Sequence, residues 1–530
     1  MSRILQQSPS NSGYTLASQL SRIADFYGFD GWLINVEKTF PIADWNFSKL
    51  EGFLKQLSAS SDPGCVIWYD SLTVKNRIEY QNALTEQNII LAKAAGSVLT
   101  NYVWTEDTAT KSRIAALRHD IDPANVLCGI DVWAQGSECS RRKTYPKDIG
   151  GGTGTGLGVS KLAEVGLGAG IFAPAWPYEH FASLSDSQDV DRSMWTGSAL
   201  PKSLDCECAS KRRHFVEGYR AHPILERARE HPAGSKTFFY TDFTQAFTIQ
   251  SGHELRGSIN GLRASLASQS ITPRCISRAR DRDDIFGRLE SCPSRLSLYA
   301  RTPQAEYTKP RELSLFRLSI LVSERLLVSI TYQKFAAADL WLRLDGLDIR
   351  IPIVGRSHEQ NTVIEQIQAD GSGRTHLTGL SLLFYDNVKV AVGDTLLLAD
   401  IMQICVRQEY HAARSYTLSE VVLQEIDEVT SCLSWKFDDG EEVHDVSHAS
   451  RDGDGLPHSN MTGPFSFFII DVNGAEVGRA YALDFLLQDL DDESKIQIKG
   501  VGFDGKVICA YSGRLRKRRR QGSMESWHGA

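Results

Sequence analysis

The sequence has no window of about 18 or more consecutive apolar residues, which excludes a helix that spans a membrane. Its opening residues, MSRILQQSPSNSG, contain no apolar core and no small-residue cleavage pattern, so a secretory leader is not expected. Positive charge is not in excess: 58 Lys and Arg face 65 Asp and Glu, a formal net charge of −7. That balance disfavours a nucleic-acid surface, and no nucleic-acid partner is expected. Cysteine is scattered, with ten in 530 residues, unlike the dense pattern of a short secreted disulfide scaffold. Cys65 and Cys128 sit in apolar runs, as buried free thiols do. Cys206 and Cys208 form a C-x-C pair, but no second pair follows at zinc-site spacing. His180, His214 and His222 show no metal-ligand spacing joined to a carboxylate, so structural or surface roles are expected. The run Gly150 to Gly156 lacks the Gly-Lys-Ser/Thr ending of a phosphate loop and reads as a mobile loop instead. Neither a metal site at these Cys and His residues nor a nucleotide-binding loop is expected, and a reducing, cytoplasmic setting is the default.

What is present is ordinary globular material, with 23% charged and 42% apolar residues. The length suits two or three domains. Leu16, Leu20, Ile23 and Phe26 recur at helical spacing, and Gly28 then stops the helix. An apolar run from Trp32 to Val36 follows. The rhythm repeats: helical residues 47–58 before CVIWYD at 65–70, 77–94 before SVLTNYVW at 97–104, 111–119 before NVLCGIDVW at 125–133, and 158–166 before GAGIFAPAW at 168–176. Alternating helix and strand marks a parallel α/β architecture. Strands apolar almost throughout are those covered by helices. Five such strands fit either an open sheet or part of an eight-stranded barrel.

After about residue 235 strands follow one another with few helices between them. Turns such as Asn473-Gly474 and Asp504-Gly505 argue hairpins and β-sandwiches. The expected division is a barrel-like region at 1–235, a β-sandwich at 236–405, a second at 406–513, and a basic flexible tail at 514–530. The polar stretch 437–464 reads as an exposed loop within the second sandwich. The run RLRKRRR at 514–520 suits a nuclear-localisation signal, a patch for an acidic surface or a solvated tail. Asn460-Met461-Thr462 fits a glycosylation sequon, which matters only in a secreted protein.

Polar and aromatic residues gather at the strands' C-terminal ends, where both parallel architectures carry their chemistry. Asn35 and Glu37 share one face of the first strand, because strand side chains alternate. Beside apolar neighbours, with Trp32 and Trp68 as candidates, Glu37 can protonate a leaving oxygen. Asn35 has the donor and the acceptor needed to hold an amide. One acid beside an amide holder suits substrate-assisted glycoside cleavage, in which the sugar's own 2-acetamido oxygen attacks the anomeric carbon. The same spacing also fits a strand end with two solvated polar groups. Tyr69 closes the second strand and can donate a hydrogen bond to the acetamide, with Asp70 as a loop-fixing group. Trp104, Trp133 and Trp176 close later strands and offer flat faces for sugar rings. Asp131 and Glu179 are candidate hydroxyl binders. No G-x-S-x-G elbow occurs in this region.

At these residues the sequence resembles the cytosolic-type endo-β-N-acetylglucosaminidases that cut within the chitobiose core of N-linked glycans. The matching pieces are YGFDGWLINVE at 27–37, VIWYDSLT at 66–73, QNALTEQN at 81–88, TNYVW at 100–104, GIDVWAQG at 129–136 and GIFAPAWPYE at 170–179. YTDFTQAF at 240–247 and SQSITP at 268–273 match more weakly. The resemblance implies a (β/α)8 TIM barrel, in which DGWLINVE is the fourth strand. The chain is therefore expected to lack the first three. The resemblance further implies retaining cleavage of GlcNAc-β-1,4-GlcNAc through an oxazolinium ion, leaving one GlcNAc on asparagine. It places Glu37 as general acid/base, Asn35 as acetamide holder and Tyr69 as its partner. Trp32, Trp104, Asp131, Trp133, Trp176 and Glu179 are the expected substrate-binding residues, and N-linked glycans or glycopeptides the partners. Near Asn76 and Tyr80 the family more often shows Gly and Trp. The alternative is an inactive carbohydrate-binding or scaffold protein derived from such an enzyme.

Overall fold

A computed structural model describes residues 2–9, 13–134, 152–200, 204, 222–244, 248–249, 255–256, 270–277, 284–291, 293–301, 310–322, 325–336, 339–355, 359–368, 375–385, 394–408, 415–438, 457–488, 490 and 493–518. Two compact units divide the chain, Met1–Arg229 and Glu230–Ala530.

In the first unit helices and strands alternate from the start. Helix α1 (Thr15–Tyr27) ends at Gly28, whose left-handed φ of 74° lets its N–H return to the Ala24 carbonyl. Strand β1 (Trp32–Ile34) follows, then α2 (Phe47–Ala59), whose cap Asn46 accepts from the Lys49 N–H. Strand β2 is Val66–Tyr69, α3 is Ile89–Ala95 and β3 is Ser97–Leu99. Thr105 and Thr108 form a reciprocal cap on α4 (Glu106–Arg118), which leads to β4 (Val126–Asp131). Helix α5 (Thr155–Val165), β5 (Gly168–Phe172), α6 (Trp176–His180), α7 (Leu184–Thr196) and α8 (Ile224–Arg227) complete the unit. The five strands pair in parallel in chain order, β1 to β5.

The two faces of this sheet differ. Trp68, Val98, Val126 and Cys128 lie under the helices, fully buried. Burying each large apolar side chain there contributes roughly 1.5–3 kcal/mol. The opposite face carries Leu33 on β1 and Phe172 on β5, which are 51% and 52% exposed. The sheet is thus one-sided in its packing, and its open face holds the β1 and β2 positions that alternate with the buried row.

Several expected elements are shorter than the sequence suggests. Residues 77–88 are not helical, and α3 begins only at Ile89. Asn76 and Asn82 take φ of 57° and 53°, which a helix cannot use. The expected mobile glycine loop is, from Gly152 on, a buried turn that caps α5. A Cβ on Gly156 would fall 1.8 Å from the His222 carbonyl oxygen, so this glycine permits close backbone contact. Gly150, Gly151, His214 and the Cys206–Cys208 pair lie outside the described residues.

The second unit is almost entirely antiparallel β. Its first strand, β6 (Phe238–Thr241), joins a large sheet, while β7 (Thr248–Ile249) and β8 (Leu255–Arg256) pair with each other. Short α9 (Arg274–Ser277) precedes β9 (Ile285–Ser291), β10 (Ser294–Arg301), β11 (Arg311–Val322), β12 (Arg325–Lys334), β13 (Asp339–Asp345), β14 (Ile349–Pro352), β15 (Gln360–Gln368), β16 (Thr375–Tyr385) and β17 (Thr395–Gln408). One sheet has the order β15-β12-β17-β10-β9, with β6 also on β17. The other has the order β11-β16-β13-β14. Alternate residues of both, such as Val328, Ile404, Leu318 and Leu382, meet in one core.

A further core, around Trp435, Phe465 and Phe468, forms between β18 (Thr417–Glu425), β19 (Thr430–Asp438) and β22 (Asp484–Gln488) and the sheet of β20 (Phe465–Val472), β21 (Ala475–Ala480), β23 (Glu493–Gly502) and β24 (Val507–Arg516). Strand β24 carries the start of the basic run. Beyond it the Arg518 N–H donates to Leu423 O, and Arg518 O accepts from Glu425 N–H. Residues 514–516 are therefore strand rather than flexible tail, because their backbones pair with β23, and Arg518 makes a bridge to β18. The six described cysteines are free, and Cys128, Cys275 and Cys405 among them are buried.

Gly31 offers a test of the first unit's packing. A Cβ there would sit 2.0 Å from the Cys65 carbonyl oxygen, which accepts the Trp32 N–H at 2.9 Å. Gly31→Ala should destabilise this unit by roughly 1–3 kcal/mol. Thermal unfolding followed by tryptophan fluorescence checks it, and an unchanged midpoint would show that β1 and β2 separate more easily than their register implies.

Candidate active site

Beyond Ile34 the chain leaves the sheet, yet the alternation set by β1 continues. Val36 is buried, while Asn35 and Glu37 are exposed on the open side. The register pairs Leu33 with Ile67, and continuing that alternation two residues on puts Asn35 on the face that carries Tyr69. Trp68 pairs with Ile34 and points the other way, under the helices. It is therefore no neighbour of Glu37, contrary to the expectation from sequence. Trp32 also serves packing: its indole N–H donates to Leu20 O on α1.

The loop that carries Glu37 is held at two points. Ser71 Oγ donates to Val36 O at 2.5 Å. Asn76 binds both backbone groups of Phe40, accepting from its N–H and donating to its carbonyl, each at 2.8 Å. Asn76 does this from the left-handed region, which asparagine tolerates better than most residues. The resembled family more often has glycine near this point, and the φ of 57° explains why a residue tolerant of that region is needed.

Tyr69 is the centre of a polar and aromatic group. Its hydroxyl donates to Asn101 Oδ1 at 3.3 Å. The Tyr80 ring meets it edge-on, with centroids 6.5 Å apart, and the Tyr80 hydroxyl donates to Glu37 Oε1 at 3.4 Å. Burial pushes the Tyr69 phenol well above the ordinary tyrosine range, and Tyr102 and the Glu37 carboxylate add to the shift. Tyr69 thus remains a neutral hydrogen-bond donor at the pH where an ordinary tyrosine ionises. The Tyr102 ring packs against Phe172 and lies over Gly129, where a Cβ would come within 2.7 Å of it.

Asp70 fixes the walls of this group. Its buried carboxylate accepts from the N–H groups of Gln81, Asn82 and Asn101 and from Asn88 Nδ2. Burial raises its pKa above the ordinary carboxylate value, and these four donors pull it back. The loop-fixing role expected of Asp70 matches this placement.

The later candidates divide. Asp131 is buried and accepts the Trp133 N–H at 3.0 Å, in register with Phe172. Trp133 is half-buried against the core. Trp104 is 3% exposed, with its indole N–H on Gly129 O, and Trp176 is 1% exposed, stacked on His180. Their faces are spent on packing, so neither is an open groove wall. Trp176 and Glu179 lie on α6 rather than at a strand end, and Glu179 is exposed. The structure brings Glu37, Tyr69, Tyr80, Tyr102 and Asn101 together. Sequence reasoning gave Tyr80, Tyr102 and Asn101 no role in the site: Tyr80 entered as a departure from the resembled family, and Asn101 and Tyr102 as part of TNYVW. Only their position after β2 and β3 hinted at them. Among the described residues no group of three His, Cys, Asp or Glu side chains could hold a metal ion.

The model of Glycosyl hydrolase family 85 matches residues 1–251, which include every residue of this group. Those residues, a little under half of the chain, are thus similar to that family. A cytosolic endo-beta-N-acetylglucosaminidase of Gallus gallus is 37% identical over 170 residues, 31% of this chain and 21% of its own length. The protein of the same name from Danio rerio is 32% identical over 209 residues, 38% of this chain and 27% of its own. The chain thus matches about a fifth to a quarter of the length of these relatives. In fold it is similar to the glycoside hydrolase domain Endo-D of Streptococcus pneumoniae R6, with a TM-score of 0.62 and 13% identity over 97% of this chain and 78% of the other. The chain accordingly has a barrel-like core with additional β-sheet domains.

Two measurements probe the site. Asp70→Ala leaves three backbone N–H groups and one amide without their acceptor, and should cost about 2–4 kcal/mol. Hydrogen exchange at Gln81 and Asn82 should accelerate along with the loss of stability, and unchanged exchange would rule out the anchoring role. In an alkaline absorbance titration, Tyr69→Phe should leave the tyrosinate signal below about pH 10 intact, because Tyr69 titrates later than an ordinary phenol.

Proposed function

We propose that the chain is an endo-β-N-acetylglucosaminidase acting on N-linked glycans. The observation that carries this reading is the group of Glu37, Asn35 and Tyr69 on the open face of the parallel sheet, inside the segment matched by the family. In this reading the sugar's 2-acetamido oxygen attacks the anomeric carbon as Glu37 protonates the departing oxygen. Asn35 orients the acetamide, and the neutral Tyr69 phenol donates to it as charge develops. Water then opens the oxazolinium ion, with Glu37 accepting its proton, so that the configuration is retained. One GlcNAc remains on asparagine. In this reading Asp131 and Trp133, at the end of β4, meet more distant hydroxyls.

The names of the relatives support a cytosolic setting and glycan or glycopeptide substrates. We read the sheet as β/α-barrel strands four to eight and the second unit as two β-sandwiches, with no cofactor in the reaction. The five-stranded sheet with its open face favours one second reading, a protein that holds glycans without cleaving them.

Incubating the chain with a high-mannose Asn-linked glycopeptide tests both. Mass spectrometry should find a glycan with one reducing GlcNAc and a peptide that keeps the other. Glu37→Gln should lower release by about a hundredfold or more. Equal release by this variant would sink the assignment of Glu37. Saturable binding without release would favour the second reading.

A further inference from the structure

We propose that a cavity in the second unit is a subsite for a neutral, polyhydroxylated ring such as a monosaccharide unit of a glycan. It uses none of the residues of the candidate active site and does not depend on their chemistry. The cavity measures ≈ 80 Å³ and lies where the β23–β24 turn meets the outer face of the β15-β12-β17 sheet. Its walls alternate along the strands. Ser329 on β12 pairs with Ile364 on β15, and Leu327 on β12 pairs with Arg407 on β17. Asp504 and Lys506 of the turn close the other side.

The turn is held against the sheet, so the cavity is preformed. Gln403 Nε2 donates to Asp504 O at 3.3 Å. Next to it, Gly505 has a φ of 76°, and a Cβ there would sit 2.0 Å from the Tyr240 hydroxyl. Only a residue without a side chain lets the turn approach Tyr240 this closely. Asp504 itself is buried, with Lys506 Nζ 3.5 Å from its carboxylate.

The chemistry of the lining selects the ligand. Arg407 is half-buried, and neither its guanidinium nor the Ser329 hydroxyl makes a hydrogen bond or ion pair with another described residue. Two cations face one carboxylate, so the walls offer both donors and an acceptor. A small anion would gain from Arg407 and Lys506 but would meet Asp504. Sugar hydroxyls donate and accept at once: they can accept from Arg407, exchange with Ser329 and donate to Asp504. Ile364, 65% exposed, and Leu327 supply an apolar patch for the C–H face of a ring. The cavity is smaller than pockets that enclose a whole ligand, so it grips one edge of a ring. Without an aromatic platform, affinity for a single sugar should lie in the range of about 1–10 mM.

Saturation-transfer NMR on the full chain tests this, with N-acetylglucosamine and methyl α-mannoside as probes and inorganic phosphate as the anionic comparison. Binding of at least one sugar should saturate and weaken about tenfold or more in Arg407→Met, with a smaller loss in Ser329→Ala that guards against misfolding of the first variant. Asn35→Ala combined with Tyr69→Phe, in the other unit, should leave that Arg407-dependent signal in place. Failure of both sugars to saturate by about 50 mM would overturn the proposal. So would sugar binding indifferent to both second-unit changes, or Arg407-dependent binding of phosphate alone.

Discussion

The position of Glu37 depends on the hold that the loop after β2 keeps on the loop after β1. Asn76 occupies both backbone groups of Phe40, and Ser71 holds the Val36 carbonyl. Between these points only three residues are free to move, and Glu37 is the first of them. A short tethered segment loses little further entropy when it adopts one working geometry. Phe40 is itself buried at 2% exposure, so the tether is anchored in the core rather than at the surface. Asp70 extends the same scheme. It ties the residues around Tyr80 to those around Asn101, and so places two walls of the site from one buried carboxylate.

Much of this was legible in the sequence because it rests on local signals. The helix stop at Gly28 and apolar strands of three to six residues carry the β/α order directly. The strand alternation that places Asn35 and Glu37 on one side follows from period two. What was not legible depends on which face a tryptophan takes and how deeply it sits. Trp104 and Trp176 follow strand ends in the sequence just as Trp133 does, yet both are buried. Their depth is set by Gly129 and by the His180–Phe181 pair, contacts that no spacing reveals. The stretch 77–88 misled for a related reason: its composition suits a helix, but Asp70 captures its N–H groups for a loop.

The two units illustrate different ways to specify a surface. In the first, parallel strands are buried on one face by their own helices and leave the other face for side chains at strand ends. In the second, antiparallel sheets bury each other, and polar outer faces become available where turns from later strands reach back over them. Gly505 makes such a reach possible through Tyr240, much as Gly156 admits the His222 backbone in the first unit.

Gly129 shows how far a site's sensitivity extends beyond the residues that touch a ligand. It offers nothing to a substrate, but the space above its Cα holds the Tyr102 ring, and its carbonyl receives the Trp104 indole. Any side chain at 129 would displace an aromatic neighbour of Tyr69 while leaving Glu37, Asn35 and Tyr69 unchanged in identity. The constraint at such a position is purely steric. Inherited variants there would look harmless by every chemical criterion except shape.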